Sequence, residues 1–407
     1  MKKIKKYNNI YWLLLFLVLY SGKGISFFNR NLYSSATMIL FGISLYWMIK
    51  NRVHFIGIIK LIIPWVVYCS FSFIYFQTIH PFFFILLPIN FFSVYVLIKS
   101  NMNLKFILTS YEKIISTLAK ISLFFFAWQL VNISSLISVF SIIDLNIGES
   151  YNAVVYTIHH RSIGSDIHRN SGFCWEPGPF ACFLVLALII YLLKTKFSID
   201  KRVLLYFITI ISTVSSTGYL CLILICVWYF YVKSRRYFLL LLPIILSLTV
   251  LVIFKIDNLN GKLLPQFVGA QQNVEFYFEN GRDEQTSIGR FDGFLLNLKD
   301  FNRYPVLGYG GHFAVTFNQR NNLNISSTSG LGNWLAQYGI IGFVFLIVSF
   351  YKSSILLNNL YKNKGNLFLF LIYLIITFAF NLVDSPLFMF VFFVSLIKGK
   401  EELKTHD

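Results

Sequence analysis

EPGPFACFLVLALIIYLL, residues 176–193, carries a single charge, at its first residue, and is otherwise almost entirely apolar. A helix that crosses a bilayer needs about 20 predominantly apolar residues, so this stretch predicts a transmembrane helix. The whole chain has the same character, since its 407 residues are 57% hydrophobic, 19% aromatic and 13% charged. Soluble domains carry about 25% charged residues. The composition therefore excludes an ordinary soluble enzyme and indicates an integral membrane protein.

Twelve apolar stretches of this kind predict an all-α fold, a polytopic transmembrane helix bundle. They cover residues 8–25, 31–49, 55–76, 81–98, 114–139, 176–193, 203–215, 217–232, 237–254, 331–351, 366–384 and 386–397. The pairs 203–232 and 366–397 each offer only about 30 residues for two crossings, so short, broken or re-entrant helices are expected there. A polar break at 212–218 supports this expectation for the first pair.

The distribution of charge predicts the orientation of these spans. Of the 35 Lys and Arg residues, 22 lie in the amino-terminal segment, the carboxyl-terminal tail and the connections on the same side of the membrane. Because Lys and Arg are enriched in cytoplasmic loops, both termini are predicted to be cytoplasmic. Twelve of the 17 acidic residues lie on the opposite, outer side or at its boundary. The net charge of +18 therefore reports topology and gives no indication of a nucleic-acid partner.

The spans divide the chain into five segments. These are the amino-terminal spans (1–139), an outer loop (140–175), four further spans (176–254), a long outer loop (255–330), and the last three spans with a cytoplasmic tail (331–407). Connections as long as 255–330 are usually functional or disordered. The polar excess on the outer face makes these two loops the place where chemistry is expected.

The long loop contains a predicted amphipathic helix, SIGRFDGFLLNLKDF, at 287–301. Its apolar side comprises Ile288, Phe291, Phe294, Leu295, Leu298 and Phe301, and its narrow polar stripe comprises Arg290, Gly293, Asn297 and Asp300. Ser287 is the expected N-cap, and Tyr304-Pro305 the expected end. Such a helix is expected to lie along the membrane surface or to cap a cavity.

Other polar groups of the outer loops leave alternatives open. The glycine cluster LGYGGH, residues 307–312, permits either a tight turn or the close approach of an anion. Glu176 precedes Pro177, so its carboxylate is either a helix cap or a functional group. The histidines His159, His160 and His168 are a poor fixed-geometry metal set, and the five cysteines form no CxxC pair. Neither a metal nor a cofactor is expected.

Four segments occur in a recognisable order between residues 160 and 345. They are Arg169-Asn-Ser-Gly-Phe-Cys-Trp-Glu176-Pro-Gly before a span, Thr213-Val-Ser-Ser-Thr-Gly218, Gly289-Arg290-Phe with Tyr304-Pro-Val-Leu-Gly-Tyr-Gly310, and Ser329-Gly-Leu-Gly-Asn-Trp-Leu-Ala-Gln-Tyr-Gly-Ile-Ile-Gly342. Together with the span count, these segments resemble the O-antigen and capsule polysaccharide polymerase family, the Wzy-type integral membrane glycosyltransferases.

The resemblance implies a GT-C-like, multi-pass protein of the cytoplasmic (inner) membrane with its active face outside. It implies transfer of a growing glycan from undecaprenyl diphosphate to the terminal sugar of another lipid-linked repeat unit. The implied partners are those lipid-linked glycans, membrane lipids and a chain-length regulator protein. O-antigen ligases of the same superfamily, which transfer the glycan to lipid A core, typically carry a His-Asn pair about a dozen residues before the Gly-Ile-Ile-Gly element. Here that stretch reads Thr328-Ser329-Gly330, which favours the polymerase.

The chemistry selects the site residues. Stabilising a departing diphosphate suits arginine, so Arg169 and Arg290 are the expected clamp; their alternative is surface charge or a salt bridge to a neighbouring acid. An acceptor hydroxyl needs a base, for which Glu176 and His312 are the candidates. The expected substrate contacts are Arg303, Tyr309, Trp175 and Asn170, although the aromatic residues also suit a membrane interface. A polysaccharide flippase or other transporter, and a scaffolding membrane protein, remain alternatives from other classes.

Overall fold

The computed structural model describes residues 2–24, 30–53, 56–77, 81–99, 103–142, 150–159, 168–233, 286–287, 289–323, 325–326 and 329–397. Within these residues the protein consists of helices joined by turns and by two pairs of very short strands. Helices are the expected outcome for the apolar stretches, because a backbone that crosses a bilayer must satisfy its own hydrogen bonds.

Fourteen helices occur in the described part of the chain. They are α1 (Lys2–Gly22), α2 (Arg30–Lys50), α3 (Ile56–Phe76), α4 (Pro81–Lys99), α5 (Leu104–Val131), α6 (Ile133–Ile142), α7 (Pro177–Lys194), α8 (Lys201–Ser212), α9 (Ser216–Lys233), α10 (Arg290–Arg303), α11 (Phe317–Arg320), α12 (Gly330–Leu360), α13 (Asn366–Ala379) and α14 (Pro386–Ile397). Strand β1 (Tyr151–Asn152) pairs antiparallel with β2 (Thr157–Ile158), and β3 (Thr286–Ser287) pairs in parallel with β4 (Ile325–Ser326).

Eleven of the twelve predicted stretches coincide with helices, and the predicted span 237–254 lies outside the described residues. Among the described helices, α5, α7, α9 and α12 are long and apolar enough to cross a membrane. Shorter apolar stretches lie in α1–α4, α6, α13 and α14. The all-α class is thus confirmed, and the apolar helices indicate a membrane protein. The count of about 12 spans and the GT-C-like architecture stay predictions.

Some predicted boundaries differ from the structure. The predicted span 114–139 is two helices. Helix α5 begins at Leu104 and ends before Asn132, and α6 follows at Ile133. The side chain of Asn103 accepts a hydrogen bond from the Lys105 amide at 2.9 Å and so sets the early start. The polar break after α8 is confirmed: the helix ends at Ser212, and Val214 has a positive φ of 47° before α9 begins. Helices α13 and α14 have 14 and 12 residues, and the short helices expected there are confirmed.

The described residues fall into two compact units. The first comprises residues 1–47, 97–235 and 357–368. Its centre is α7, in which all residues from Pro177 to Leu193 are buried, and which packs against α5, α8 and α9. A helix that is apolar all round belongs at the centre of a bundle. The opening stretch of the sequence is therefore the core of this unit.

A buried carboxylate links α5 to α8 in the first unit. Glu112 is 0% exposed, and its carboxylate lies 3.3 Å from Nη1 of Arg202. The Tyr206 hydroxyl donates to the same carboxylate at 3.0 Å. The Arg202 guanidinium lies 5.2 Å from the ring centroid of Tyr191, whose hydroxyl donates to Asp200. Because a buried charge is costly unless it is paired, this network fixes α5, α7 and α8 at one end of the unit.

The second unit comprises residues 48–96, 236–356 and 369–407. Its apolar core includes α14, which is buried from Pro386 to Val394. The rings of Phe350 and Phe392 lie 4.5 Å apart, and those of Tyr373 and Phe392 lie 4.9 Å apart. Helix α12 is interrupted at Gly339, whose φ of 62° and ψ of −164° are not helical.

Candidate functional site

The first unit contains four of the eight predicted site residues in one segment, Arg169–Glu176, which we name the RNSG segment. The half-buried side chain of Arg169 donates from Nε to the Thr213 carbonyl at 3.3 Å and from Nη2 to the Val214 carbonyl at 3.0 Å. These carbonyls follow the end of α8, where the helix dipole favours a cation. The guanidinium is therefore held in a fixed orientation against the turn between α8 and α9.

Asn170 holds the RNSG segment to the protein. Its side-chain amide donates to the Ser122 hydroxyl at 3.2 Å and to the Ser212 hydroxyl at 3.0 Å, and its Oδ1 accepts from the Gly172 amide at 3.0 Å. Its backbone amide donates to the Ser212 carbonyl at 3.0 Å. Because Asn170 is 0% exposed, its polar atoms serve the protein in this conformation, and a positioning role fits better than a direct substrate contact.

The rest of the RNSG segment packs tightly. Gly172 has a φ of +50°, and a Cβ at this position would lie 2.6 Å from the Phe180 ring, so no larger residue fits. The predicted contact residue Trp175 is half-buried, with Nζ of Lys23 6.0 Å from its ring centroid. Partial burial and a nearby cation leave Trp175 compatible with both predicted roles, sugar stacking and interface anchoring.

Glu176 ends the RNSG segment as the N-cap of α7, but its side chain makes no cap hydrogen bond. The first turn of α7 offers few donors, because Pro177 and Pro179 lack an amide hydrogen. Among the described residues, the half-buried Glu176 carboxylate has no hydrogen bond or ion pair. The hydrogen bond that would make Glu176 a helix cap is therefore not formed. Of the two alternatives for Glu176, a helix cap and a functional group, the second is favoured.

The second unit contains the other four predicted site residues, beginning with Arg290. Arg290 opens α10 and donates from Nε to the Ala379 carbonyl, the last residue of α13, at 3.1 Å. Its guanidinium carbon lies 4.5 Å from the centroid of the Phe380 ring. Arg290 thus resembles Arg169 in being held by a carbonyl at the end of a helix, where a cation is favoured. The N-cap of α10 is Gly289 and not the expected Ser287, which lies in β3.

The glycine loop, which we define as Leu307–His312, packs into the break of α12. The Tyr309 amide donates to the Ala336 carbonyl at 3.0 Å, and the Gly310 amide donates to the Gln337 carbonyl at 2.9 Å. These carbonyls lose their helical partners at the break, so the glycine loop satisfies them. The amides of Tyr309 and Gly310 are consequently occupied by protein. The turn alternative for the glycine loop is therefore favoured over anion binding through these amides.

Two of the predicted site residues lie in the glycine loop. Tyr309 is 4% exposed and its hydroxyl donates to Asn333 Oδ1 at 3.2 Å, so it is not available as an open sugar-stacking surface. Burial raises the pKa of Tyr309. His312 is half-buried, and its ring stacks on Phe76 with centroids 5.4 Å apart. A stacked imidazole has a fixed plane, which suits a general base or a purely structural contact equally.

Arg303 ends α10 and is exposed, with its guanidinium carbon 5.6 Å from the Tyr304 ring centroid. The helix ends at Tyr304 as the sequence predicts. In the same helix, Asp300 accepts a hydrogen bond from the Phe317 amide at 2.6 Å and lies 3.6 Å from Nη2 of Arg320. Burial still raises the pKa of Asp300. This pair connects α10 to α11, and Arg303 is not part of it.

His160 and Ile288 of the sequence interpretation lie outside the described residues. Among the residues that the structure does describe, no group of three or more His, Cys, Asp or Glu side chains could hold a metal ion. The described cysteines are all free thiols.

The sequence interpretation missed two residues that shape the second unit. Tyr68 of α3 donates from its hydroxyl to the Leu307 carbonyl at 2.7 Å and to the Gln337 carbonyl at 3.0 Å. Gly339 interrupts α12, although it lies inside one of the quoted segments. Glycine lowers the helical propensity of an apolar stretch, and this is the sequence signal of a possible break at Gly339. No local signal would have indicated Tyr68.

No protein-family model matches the chain, and no curated protein matches it. The resemblance to the Wzy-type polymerases therefore rests on the four sequence segments and the predicted span count.

Proposed function

We propose that the protein is a membrane glycosyltransferase, a polysaccharide polymerase that joins repeat units carried on undecaprenyl diphosphate at the outer face of the cytoplasmic membrane. The observation that supports this most is the pair of hydrogen bonds from Arg169 to the carbonyls of Thr213 and Val214. They join two of the segments that resemble the family. The apolar helices are the setting that a lipid-linked substrate requires.

The proposed reaction is a metal-independent glycosyl transfer. The acceptor hydroxyl oxygen bonds to the anomeric carbon of the donor glycan, and the bond from that carbon to the diphosphate oxygen breaks. The diphosphate departs with the electron pair, and the hydroxyl proton passes to a base. Arginine suits the departing diphosphate because its charge is permanent and its planar fork matches phosphate oxygens. A carboxylate or a histidine suits the base.

The proposed roles are supported by the way the candidate residues are distributed between the two units. Each unit contains one arginine held at a helix end and one candidate base: Arg169 and Glu176 in the first unit, Arg290 and His312 in the second. Buried Asn170 and Tyr309 are assigned to positioning. Exposed Arg303 and half-buried Trp175 keep the proposed role of substrate contacts. If one unit performs the transfer, loss of either its arginine or its base should abolish activity.

The test is complementation of a deletion strain with alanine variants at Arg169, Glu176, Arg290 and His312. Removing a charged hydrogen-bonding group that contacts the transition state costs about 3–4 kcal/mol, or about 10²–10³ in rate. We therefore expect loss of long glycan on a gel at matched protein levels. The control is Arg52→Ala, since Arg52 is exposed in the connection between α2 and α3 and is expected to be neutral.

The glycan profile of the deletion strain separates the alternatives. Loss of a polymerase leaves single repeat units on the surface, whereas loss of a ligase leaves polymer on the lipid carrier. Loss of a flippase retains repeat units on the inner face. Full-length ladders from all four alanine variants would contradict the site assignment, and polymer accumulating on the carrier would contradict the polymerase.

A further inference from the structure

Helix α10 is amphipathic, but its polar side is buried and its apolar side is partly exposed. Its buried residues are Asp292, Gly293, Leu296, Asn297 and Asp300. Its half-buried residues include Phe291, Phe294, Leu295, Leu298 and Phe301. On a helix that borders water, the polar side faces outward and the apolar side faces the protein. In α10 the polar stripe faces the protein, and the large apolar side chains retain exposed surface.

The position of α10 relative to two apolar helices explains this inversion. Its first residue, Arg290, bonds to the carbonyl that ends α13, and the rings of Phe291 and Phe294 lie 5.0 and 5.7 Å from that of Phe378. A Cβ on Gly332, in the first turn of α12, would lie 2.9 Å from Phe294. Helix α10 therefore lies level with the end of one apolar helix and the beginning of another, where the outer boundary of a bilayer is expected.

The charges of α10 fit the same boundary. Lys299 and Arg303 are the exposed cations of the helix, and both are near its carboxyl end. Each lies against an aromatic ring: Nζ of Lys299 is 4.7 Å from the Phe317 centroid, and the Arg303 guanidinium is 5.6 Å from that of Tyr304. Cations beside aromatic rings are typical of the headgroup level, where both groups find a polar and an apolar side.

We infer that α10 is embedded in the outer edge of the bilayer, with Phe291, Leu295 and Leu298 against lipid acyl chains and its polar stripe turned towards the protein. In water this arrangement would expose large apolar side chains while it buries two carboxylates. Against acyl chains the apolar side is already in its preferred environment, and the buried side is the only one that offers hydrogen-bonding partners. The raised pKa values of Asp292 and Asp300 agree with the burial of the polar stripe. The inference does not depend on the proposed glycosyl transfer.

Photolabelling of the full chain tests this inference without any substitution. The protein is reconstituted into phosphatidylcholine vesicles that contain a phospholipid with a diazirine in its acyl chain, irradiated, and mapped by mass spectrometry. Val344 and Val348 of α12 are 51% and 42% exposed and serve as internal references for lipid contact. The exposed Lys362, in the connection between α12 and α13, is the reference for residues outside the acyl region.

The expected result is label at Phe291, Leu295 or Leu298 within about threefold of the yield at Val344, because an interfacial helix buries its apolar face about 5–10 Å into the acyl boundary. Hydroxyl-radical footprinting of the same vesicles should show these side chains protected. Label at Val344 and Val348 without label on α10, or strong oxidation of Phe291 and Leu298, would overturn the inference.

Discussion

The Ile340 amide donates a 2.8 Å hydrogen bond to the Pro305 carbonyl, on the far side of the break that Gly339 makes in α12. With the bonds from Tyr309 and Gly310 on the near side, this contact lets Pro305 and the glycine loop together replace the missing helical hydrogen bonds. A broken helix at membrane depth is tolerated only where such partners exist. The break and the loop therefore form one structural element, and its glycines are testable.

Gly308→Ala should lower stability sharply. Gly308 has a φ of +68°, and a Cβ there would overlap the Gln337 carbonyl, a backbone atom that cannot move aside. We expect a loss of about 1–3 kcal/mol for the conformation alone, measured as a lower Tm in detergent with a thiol-reactive dye that reports exposure of the buried cysteines. Gly42→Ala is the control, because nothing lies within 4 Å of a Cβ at Gly42. Equal Tm values for the two variants would contradict the role of the loop.

Arg169→Lys should show whether Arg169 acts only as a helix cap or also in the proposed reaction. Lysine keeps the charge, but its ammonium cannot reproduce the planar fork that bonds to the carbonyls of Thr213 and Val214. We expect a modest fall in Tm for Arg169→Lys and Arg169→Ala alike, since hydrogen bonds to charged groups contribute about 1.5–3 kcal/mol. Glycan length, compared at temperatures where both variants are folded, should fall in both. A lysine variant with full-length glycan and a lowered Tm would show that Arg169 is only a helix cap.

Replacing Arg202 should destabilise the protein more than replacing its partner Glu112. Arg202→Ala leaves a 0%-exposed carboxylate without its cation, and breaking a buried pair in this way costs about 3–5 kcal/mol. Glu112→Gln should cost less, because the released Arg202 side chain is 40% exposed and can be hydrated. Thermal unfolding of both variants, with the exposed Lys201→Ala as control, measures the difference. A larger loss for Glu112→Gln than for Arg202→Ala would contradict this account.

Asp292→Asn should stabilise the protein at neutral pH. Burial raises the pKa of Asp292 above its ordinary value, so this carboxyl contributes stability below the unfolded pKa and loses it as the pH rises through the folded pKa. Asparagine avoids the buried charge, and its advantage at neutral pH is about 1.4 kcal/mol for each unit of the raised pKa. At about pH 4, close to the unfolded pKa, the difference in Tm should shrink.

Asp200→Asn is the matched control, because the pKa of Asp200 is lowered whereas that of Asp292 is raised. The hydrogen bond from the Tyr191 hydroxyl lowers the pKa of Asp200, so its stability contribution is present above the unfolded pKa and is lost as the pH falls through the folded pKa. Asp200→Asn should therefore lower the Tm at neutral pH. A Tm that changes in the same direction for both asparagine variants would contradict the assigned cause.

The sequence predicted the helices well because the signal is local. Length and hydropathy alone placed helices at α7, α9 and α14, and the Tyr304-Pro305 step correctly ended α10. The signal for the break between α8 and α9 was also local. Hydroxyl side chains compete with the helical hydrogen bonds, and a glycine weakens the helix further. The residues of the candidate site were predicted from their types and from a resemblance, and their roles stay predictions.

Sequence by itself determined that the chain forms apolar helices with polar groups concentrated in two loops, because each of these properties is a sum over neighbouring residues. Only the tertiary structure decided which side of α10 is buried, what holds Arg169 and Arg290, and what satisfies the break at Gly339. The physical reason is that each of these depends on hydrogen-bond partners distant in the chain: Thr213, Ala379 and Pro305 meet their donors only after the helices have packed.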